Sequence, residues 1–399
     1  MSARWLAALL VLAGRTYAQI FGCGDDGVLP ASADGRQNPA GQQPGYVEWW
    51  FFTAFSKSSD VGAAFTYHPS SKAVDFMLYL NATKPTATII NFAQAFDNAT
   101  STVANASITI LSHGVGCEVI VHDRRTYEVR GGSRSQSGNA SLKWNLRYAQ
   151  AVDAAREHAD ALGIVELDWL SYMPTASVSG EMVYDDGLGH VVTLPMDHAV
   201  GYHDHNSGRW PKLRSQAASA AAAAAPAMQA EEPQLKLNFD YKWGSVGDAS
   251  AIGAVYGAYL IPDPLLPLKP LMSFDYIFVR AHGKRIKFGT LCRHHKLTVR
   301  PTGFVHRPGG HKEATGVHLT ADTPDWSLDW QHSVLSSAAN PGGAGLGLIV
   351  YEQLSTHNLT LTPKTSSAAR WLKGPAADAT PPFATLRGAY GFTEWSNGR

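Results

Sequence analysis

Cysteine is scarce: three residues in 399 cannot frame a disulfide-built scaffold, and they permit one bridge with one thiol left over. Net charge is lacking as well. Lys and Arg number 33 and so do Asp and Glu, which removes the long-range field that nucleic acid or an anionic membrane surface would need. Beyond Ala18 no apolar run approaches the ~20 residues of a membrane span, so no stable membrane insertion is expected. The chain contains no Gly-x-Ser-x-Gly elbow, phosphate loop or dense Cys/His metal motif. Covalent hydrolysis and cofactor chemistry are therefore disfavoured. What remains is a small, neutral partner, with no cofactor and no resident metal expected.

Aromatic residues, by contrast, are plentiful. With 11 Trp, 15 Tyr and 15 Phe in a chain that is 45% hydrophobic, large cores can be buried and a pocket still lined with rings. The periodicity is mainly that of strands. In the first half Val47–Phe55, Val61–Tyr67, Ala73–Asn81, Ala87–Phe92, Ser107–Ser112, Cys117–Asp123, Thr126–Arg130 and Ser141–Tyr148 are short β-branched or aromatic runs divided by Gly, Asn, Ser and Pro. Ala149–Leu162 breaks the pattern, and its alanines with Arg156 and Glu157 predict a helix or helical loop ended by Gly163. Strands resume at Ile164–Trp169, Ala176–Tyr184 and Val191–Pro195, the last two joined by an Asp185-Asp186-Gly187 turn. Further strand-like runs extend from Leu235–Trp243 to Arg387–Trp395.

Length and pattern together predict an all-β chain of two antiparallel barrels packed on each other. The Ala-rich stretch 216–232 reads as a linker or mobile loop between an N-terminal barrel (19–215) and a C-terminal barrel (233–399). The Pro-rich Ile261–Pro270 is a rival boundary. Residues 1–18, with Arg4, an apolar run and a small-residue end, read as a secretory signal peptide. Asn-x-Ser/Thr acceptors at Asn81, Asn98, Asn105, Asn139 and Asn358 fit that route. So does a disulfide, for which Cys23 with Cys117 is the expected pair because it would tie the mature N-terminus to its own domain.

The stretch Gly201–Trp210 concentrates the polar chemistry. On a strand His203 and His205 share one face, and Tyr202, Asp204 and Asn206 the other. Three readings stay open: metal ligation by the two imidazoles with a third ligand, a polar network locking the strands, or the polar lining of a ligand pocket. Glu48-Trp49-Trp50 poses a similar choice. One Trp packs in a core while the other lines a cavity, and Glu48 is either a general acid of raised pKa or an acceptor in the barrel wall. Asp168-Trp169 and Tyr172 repeat the theme before a Met173-Pro174 turn. The basic run from Arg280 to Lys296 reads as a solvated face, with Arg293 the candidate for an inward arginine holding an oxygen-rich ligand.

These segments carry a resemblance. Gly-Tyr-His-Asp-His-Asn at 201–206, Glu48-Trp49-Trp50 and Met173–Gly180, with fainter echoes at Trp243-Gly244 and Gly391–Trp395, resemble the two-domain lipocalin-like superfamily of carotenoid hydratases (hydroxyneurosporene synthases) and fungal Diels-Alderases. The resemblance implies two lipocalin-like barrels with a ligand cavity at or near their junction. It also implies reactions that need only a shaped apolar cavity, either addition of water to an alkene or cycloaddition. On it rests the expectation of a cofactor-independent pericyclase performing a (hetero-)Diels-Alder step in natural-product biosynthesis, for example between a quinone-methide-like partner and a terpene alkene. A hydratase or isomerase and a non-catalytic carrier are the alternatives. Trp395 would form one wall of the cavity and Trp50 with Tyr67 another, with Tyr202 or His203 giving the polar contact and Glu48, Asp168, Tyr172, His205 and Arg293 lining the substrate site.

The leader and the acceptor sites predict a mature protein that begins near Gln19 and loses mass on glycosidase treatment. An unglycosylated cytosolic product from the native host would remove the secretory assignment.

Overall fold

The computed structural model describes residues 46–68, 73–95, 98–102, 107–112, 115–123, 125–135, 139–161, 165–209, 240–249, 251–262, 270–290, 292–308, 311–340, 349–365, 368 and 383–397. The expected signal peptide, the Ala-rich linker, Cys23 and Asn105 lie outside the described residues.

Alternating runs of bulky residues pair into two antiparallel sheets. The first half of the chain supplies β1 (Tyr46–Ser56), β2 (Val61–His68), β3 (Ala73–Leu80), β4 (Thr88–Ala95), β5 (Asn98–Thr102), β6 (Ser107–Ser112) and β7 (Val115–Asp123). It continues with β8 (Thr126–Arg134), β9 (Ser141–Gln150), β10 (Ala155–Ala161), β11 (Val165–Asp185), β12 (Val191–Pro195) and β13 (Ala199–Arg209). Their order across the sheet is β4-β3-β2-β1-β13-β11-β9-β8-β7-β6-β5, with β10 and β12 paired to β11. The second half supplies β14 (Asp240–Gly247), β15 (Ile252–Pro262), β16 (Pro270–Ala281), β17 (Lys284–Gly289), β18 (Lys296–His306), β19 (Lys312–Asp322), β20 (Trp326–Asn340), β21 (Ile349–Pro363) and β22 (Ala384–Asn397). Here the order is β17-β16-β15-β14-β22-β21-β20-β19-β18.

Both sheets curl. A bridge between Phe92 and Ser135 draws β4 toward β8, and the edge strands β17 and β18 lie against each other. The result is two lipocalin-like half-barrels packed together. They share a topology in which the first strand of each half lies between the second strand and the last: β1 between β2 and β13, β14 between β15 and β22.

Alternation sends each strand's residues into different cores. Trp50, Phe52 and Ala54 of β1 join Phe65, Tyr67, Trp144 and Tyr148 inside the first half-barrel. Tyr351, Leu359 and Trp395 join Tyr256, Phe288 and Trp330 inside the second. A third cluster lies between the halves, where Phe51, Tyr79, Trp169 and Tyr202 meet Trp243, Tyr259, Tyr276 and Phe392. Close approach of the halves depends on glycine. A Cβ at Gly247 would collide with the side chain of Thr175 on β11. Arg280 of β16 adds a tie by donating to the Ala154 carbonyl.

Three local expectations need correction. The predicted helix is instead the end of β9 and all of β10, because pairing of Ala155–Ala161 with Val165–Ser171 overrides the helix propensity of alanine. The Met173-Pro174 turn is a stretch of shifted register inside the long β11, where proline's missing N–H is tolerated. Cys117 is a free thiol buried in the first core, its Sγ donating to the Gly132 carbonyl at 3.8 Å, so the Cys23–Cys117 bridge is not formed. Burial pushes that thiol up to about 12.

Trp395 is packed into the second core, its indole N–H donating to the Lys312 carbonyl at 3.0 Å and its ring edge-on to Phe304. Trp395→Ala is expected to cost about 3–5 kcal/mol of stability in urea unfolding. Unchanged stability with lost turnover would return Trp395 to the role of a cavity wall.

Candidate functional site

Where the half-barrels meet, Trp49, Phe51, Trp169, Asp204 and Asn206 of the first face Tyr241, Trp243, Tyr259 and Glu394 of the second across a cleft. The space between them is about 370 Å³, a figure that includes open solvent. Its walls come from the equivalent strands β1 and β14, its acids from β13 and β22. The register of β1 with β13 sets Phe51 opposite Asp204 and Trp49 opposite Asn206, so all four lie on the face turned to the second half-barrel. Phe51 meets the Trp243 ring edge-on at 5.5 Å.

Asp204 is buried and fully engaged. The Tyr202 hydroxyl and the Trp169 indole N–H donate to its Oδ2 at 2.7 and 2.6 Å, and the Asn206 amide donates to Oδ1 at 2.7 Å. Burial raises its pKa to about 6, against the lowering effect of the Tyr202 and Trp169 hydrogen bonds. Across the cleft Glu394 stands directly opposite Glu352 on the neighbouring strand β21. Burial, then the charges of Glu352 and Asp204, push Glu394 well above the usual carboxylate range. Glu352 is buried, accepts from the Asn340 amide at 3.0 Å, and is raised by burial to about 7. All three carboxyl groups thus hold their protons more tightly than free carboxyls do, burial being the main cause in each.

The chain matches no family model and no curated protein sequence. Solved structures do match. A protein assigned as AttH from Nitrosomonas europaea aligns over 95% of this chain and 99% of its own, with a TM-score of 0.53 and 11% identity. Kievitone hydratase from Nectria haematococca aligns over 94% and 95%, with a TM-score of 0.52 and 12% identity. The likeness is one of fold.

Most residues singled out from the sequence lie away from this cleft. Trp50, Tyr67 and Tyr172 are buried in the first core. His203 stacks on Phe52 with ring centroids 4.0 Å apart, and its Nδ1 bonds the Phe51 carbonyl at 3.0 Å. His205 stacks on Trp50 at 4.3 Å and bonds Glu48 at 2.9 Å, which makes Glu48 a partner in the wall of the first half-barrel. Among the described residues no group of three His, Cys, Asp or Glu is placed to hold a metal ion. Asp168 pairs with Arg156 at 2.7 Å, and Arg293 is exposed, because neither points toward the junction. Tyr202 alone of the proposed catalytic set touches the site, where it supports Asp204. Asp204, Asn206, Trp49 and Glu394 were within reach of strand alternation, being the opposite-face neighbours of His203, His205, Trp50 and Trp395.

Asp204 binds its proton more tightly folded than unfolded. The stability this gives is fully present below pH 4 and is lost as pH rises through about 6. Asp204→Asn abolishes that titration, so the variant should gain up to ~3 kcal/mol relative to the native protein between pH 4 and pH 7 in urea unfolding. A difference that does not change with pH would mean that Asp204 keeps an ordinary pKa.

Proposed function

We propose that the cleft takes a small apolar molecule with a carbon–carbon double bond and adds water across it by general acid–base catalysis. The observation that carries the reading is the placement in one aromatic-walled cleft of Asp204 and of Glu394, whose proton affinity burial raises well above the usual carboxylate range. Two carboxyl groups driven to different proton affinities divide the roles of acid and base. Glu394 gives its proton to one alkene carbon and the neighbouring carbon becomes cationic, a charge that the faces of Trp49, Trp169 and Trp243 stabilise. Water bonds to that carbon and loses a proton to Asp204, which releases it to solvent while Glu394 is reprotonated. The net change is one water added. That one fold relative, kievitone hydratase, is by name a hydratase supports the choice.

A (hetero-)Diels-Alder cycloaddition is the second reading. Six aromatic side chains line the cleft, and a neutral Glu394 carboxyl is a donor for a carbonyl that gains electron density as a quinone-methide-like partner meets a terpene alkene. We also propose a secretory route for the protein, for which Asn81, Asn139 and Asn358 are exposed acceptors.

Incubation with a panel of terpenoid alkenes in oxygen-18 water separates the readings by product mass. Gain of one labelled water is expected. An isomer or the sum of two partners without label means cycloaddition, and unchanged substrate with quenched Trp fluorescence means a carrier. Glu394→Gln should lower turnover at least ~100-fold without loss of melting temperature. Full activity in that variant would overturn the assignment of the acid.

A further inference from the structure

We infer that Glu352, which does not line the cleft, is a positioning residue for the acid: it carries the negative charge of a carboxyl pair so that the shared proton resides on Glu394. The role depends on the hydration reading above; the pair itself rests on strand geometry. Glu352 and Glu394 are direct cross-strand partners on β21 and β22, so their side chains leave the sheet on the same face about 5 Å apart at Cβ. Ala338 is the partner of Glu352 on β20, which puts Asn340 two residues along, in diagonal reach of its carboxyl. Trp243 is the partner of Glu394 on β14, and its ring forms part of the cleft wall.

The hydrogen bonds divide the pair's two members. The Asn340 amide donates to Glu352 Oε1 at 3.0 Å, a bond that favours the charged carboxylate. Glu352 Oε2 is buried and meets no donor when both acids are ionised. A hydroxyl on Glu394, its cross-strand partner, supplies the missing donor. Around them stand Asp75 of β3 and Asp204 of β13 from the first half-barrel, with Tyr241 of β14 beside Glu394. Tyr79 of β3 donates to the Glu352 backbone carbonyl at 3.1 Å. None of these neighbours is cationic.

Glu352→Gln keeps the size of the side chain and an acceptor for Asn340 while removing its charge. Without a neighbouring carboxylate Glu394 becomes a stronger acid. The alkaline limb of the pH profile of turnover should fall by at least about one pH unit, with activity recovering as the pH is lowered. In parallel, infrared titration should show a carboxylic-acid band that persists at pH 7 in the native protein and that titrates at lower pH in Glu352→Gln. Asn340→Leu leaves both acids in place and draws the proton toward Glu352, lowering turnover at pH 7 about tenfold. An unchanged alkaline limb in Glu352→Gln, or a native protein without the acid band at pH 7, overturns the inference. The infrared arm needs no substrate, so a band that behaves as expected in a protein that hydrates no alkene leaves the pair standing and removes the hydration reading.

Discussion

A strand that buries both faces must find a dry home for every side chain it carries, and β1, β13, β14 and β22 are such strands. One face of each fills its own half-barrel, while the other meets the opposite half. Apolar residues accept this readily. Carboxyl groups do not, because loss of water penalises their charge until donors or protons make up the difference. Asp204 is provided with three donors, whereas Glu352 has the Asn340 amide, and burial raises the proton affinity of Glu352 and Glu394. The functional character of the junction follows from that unequal treatment.

The same constraint explains how much could be read from the sequence. Fold class was legible because β-branched and aromatic runs of strand length recur through both halves, and most expected strands match observed ones to within a few residues. The 149–162 segment was misjudged because alanine's local preference says nothing of a partner strand two residues beyond it. For the candidate cleft, the segments picked from the sequence reach the junction, mostly through the residues next to those singled out. Glu48-Trp49-Trp50, Gly201–Arg209 and Glu394-Trp395 all reach the junction, but alternation gives each one core-facing set and one cleft-facing set. Sequence alone does not state which face the second half-barrel will cover. His203, His205, Trp50 and Trp395 proved to be interior packing, their stacked rings and backbone hydrogen bonds serving the half-barrels. Glu352 had no local signal, since its meaning depends on a cross-strand partner 42 residues away, at Glu394.

The junction also explains why the site lacks the compact motif that marks many enzymes. Its members come from six strands spread over both halves: Trp49 and Phe51 on β1, Trp169 on β11, Asp204 and Asn206 on β13, Tyr241 and Trp243 on β14, Tyr259 on β15 and Glu394 on β22. Their arrangement is maintained by packing across the halves, by Trp169 against Tyr276 and by Phe51 and Tyr202 against Trp243. Positioning of this kind is a property of the assembled molecule.

The repeated topology gives β13 and β22 equivalent places in their sheets, yet one presents the shorter Asp204 to the cleft and the other the longer Glu394. The cleft is thus handed even though its framework is nearly two-fold. On the hydration reading, proton and water would be handled by groups on different half-barrels, so the cleft would favour one enantiomer of the product. The configuration of the product would record which half-barrel supplied which proton transfer.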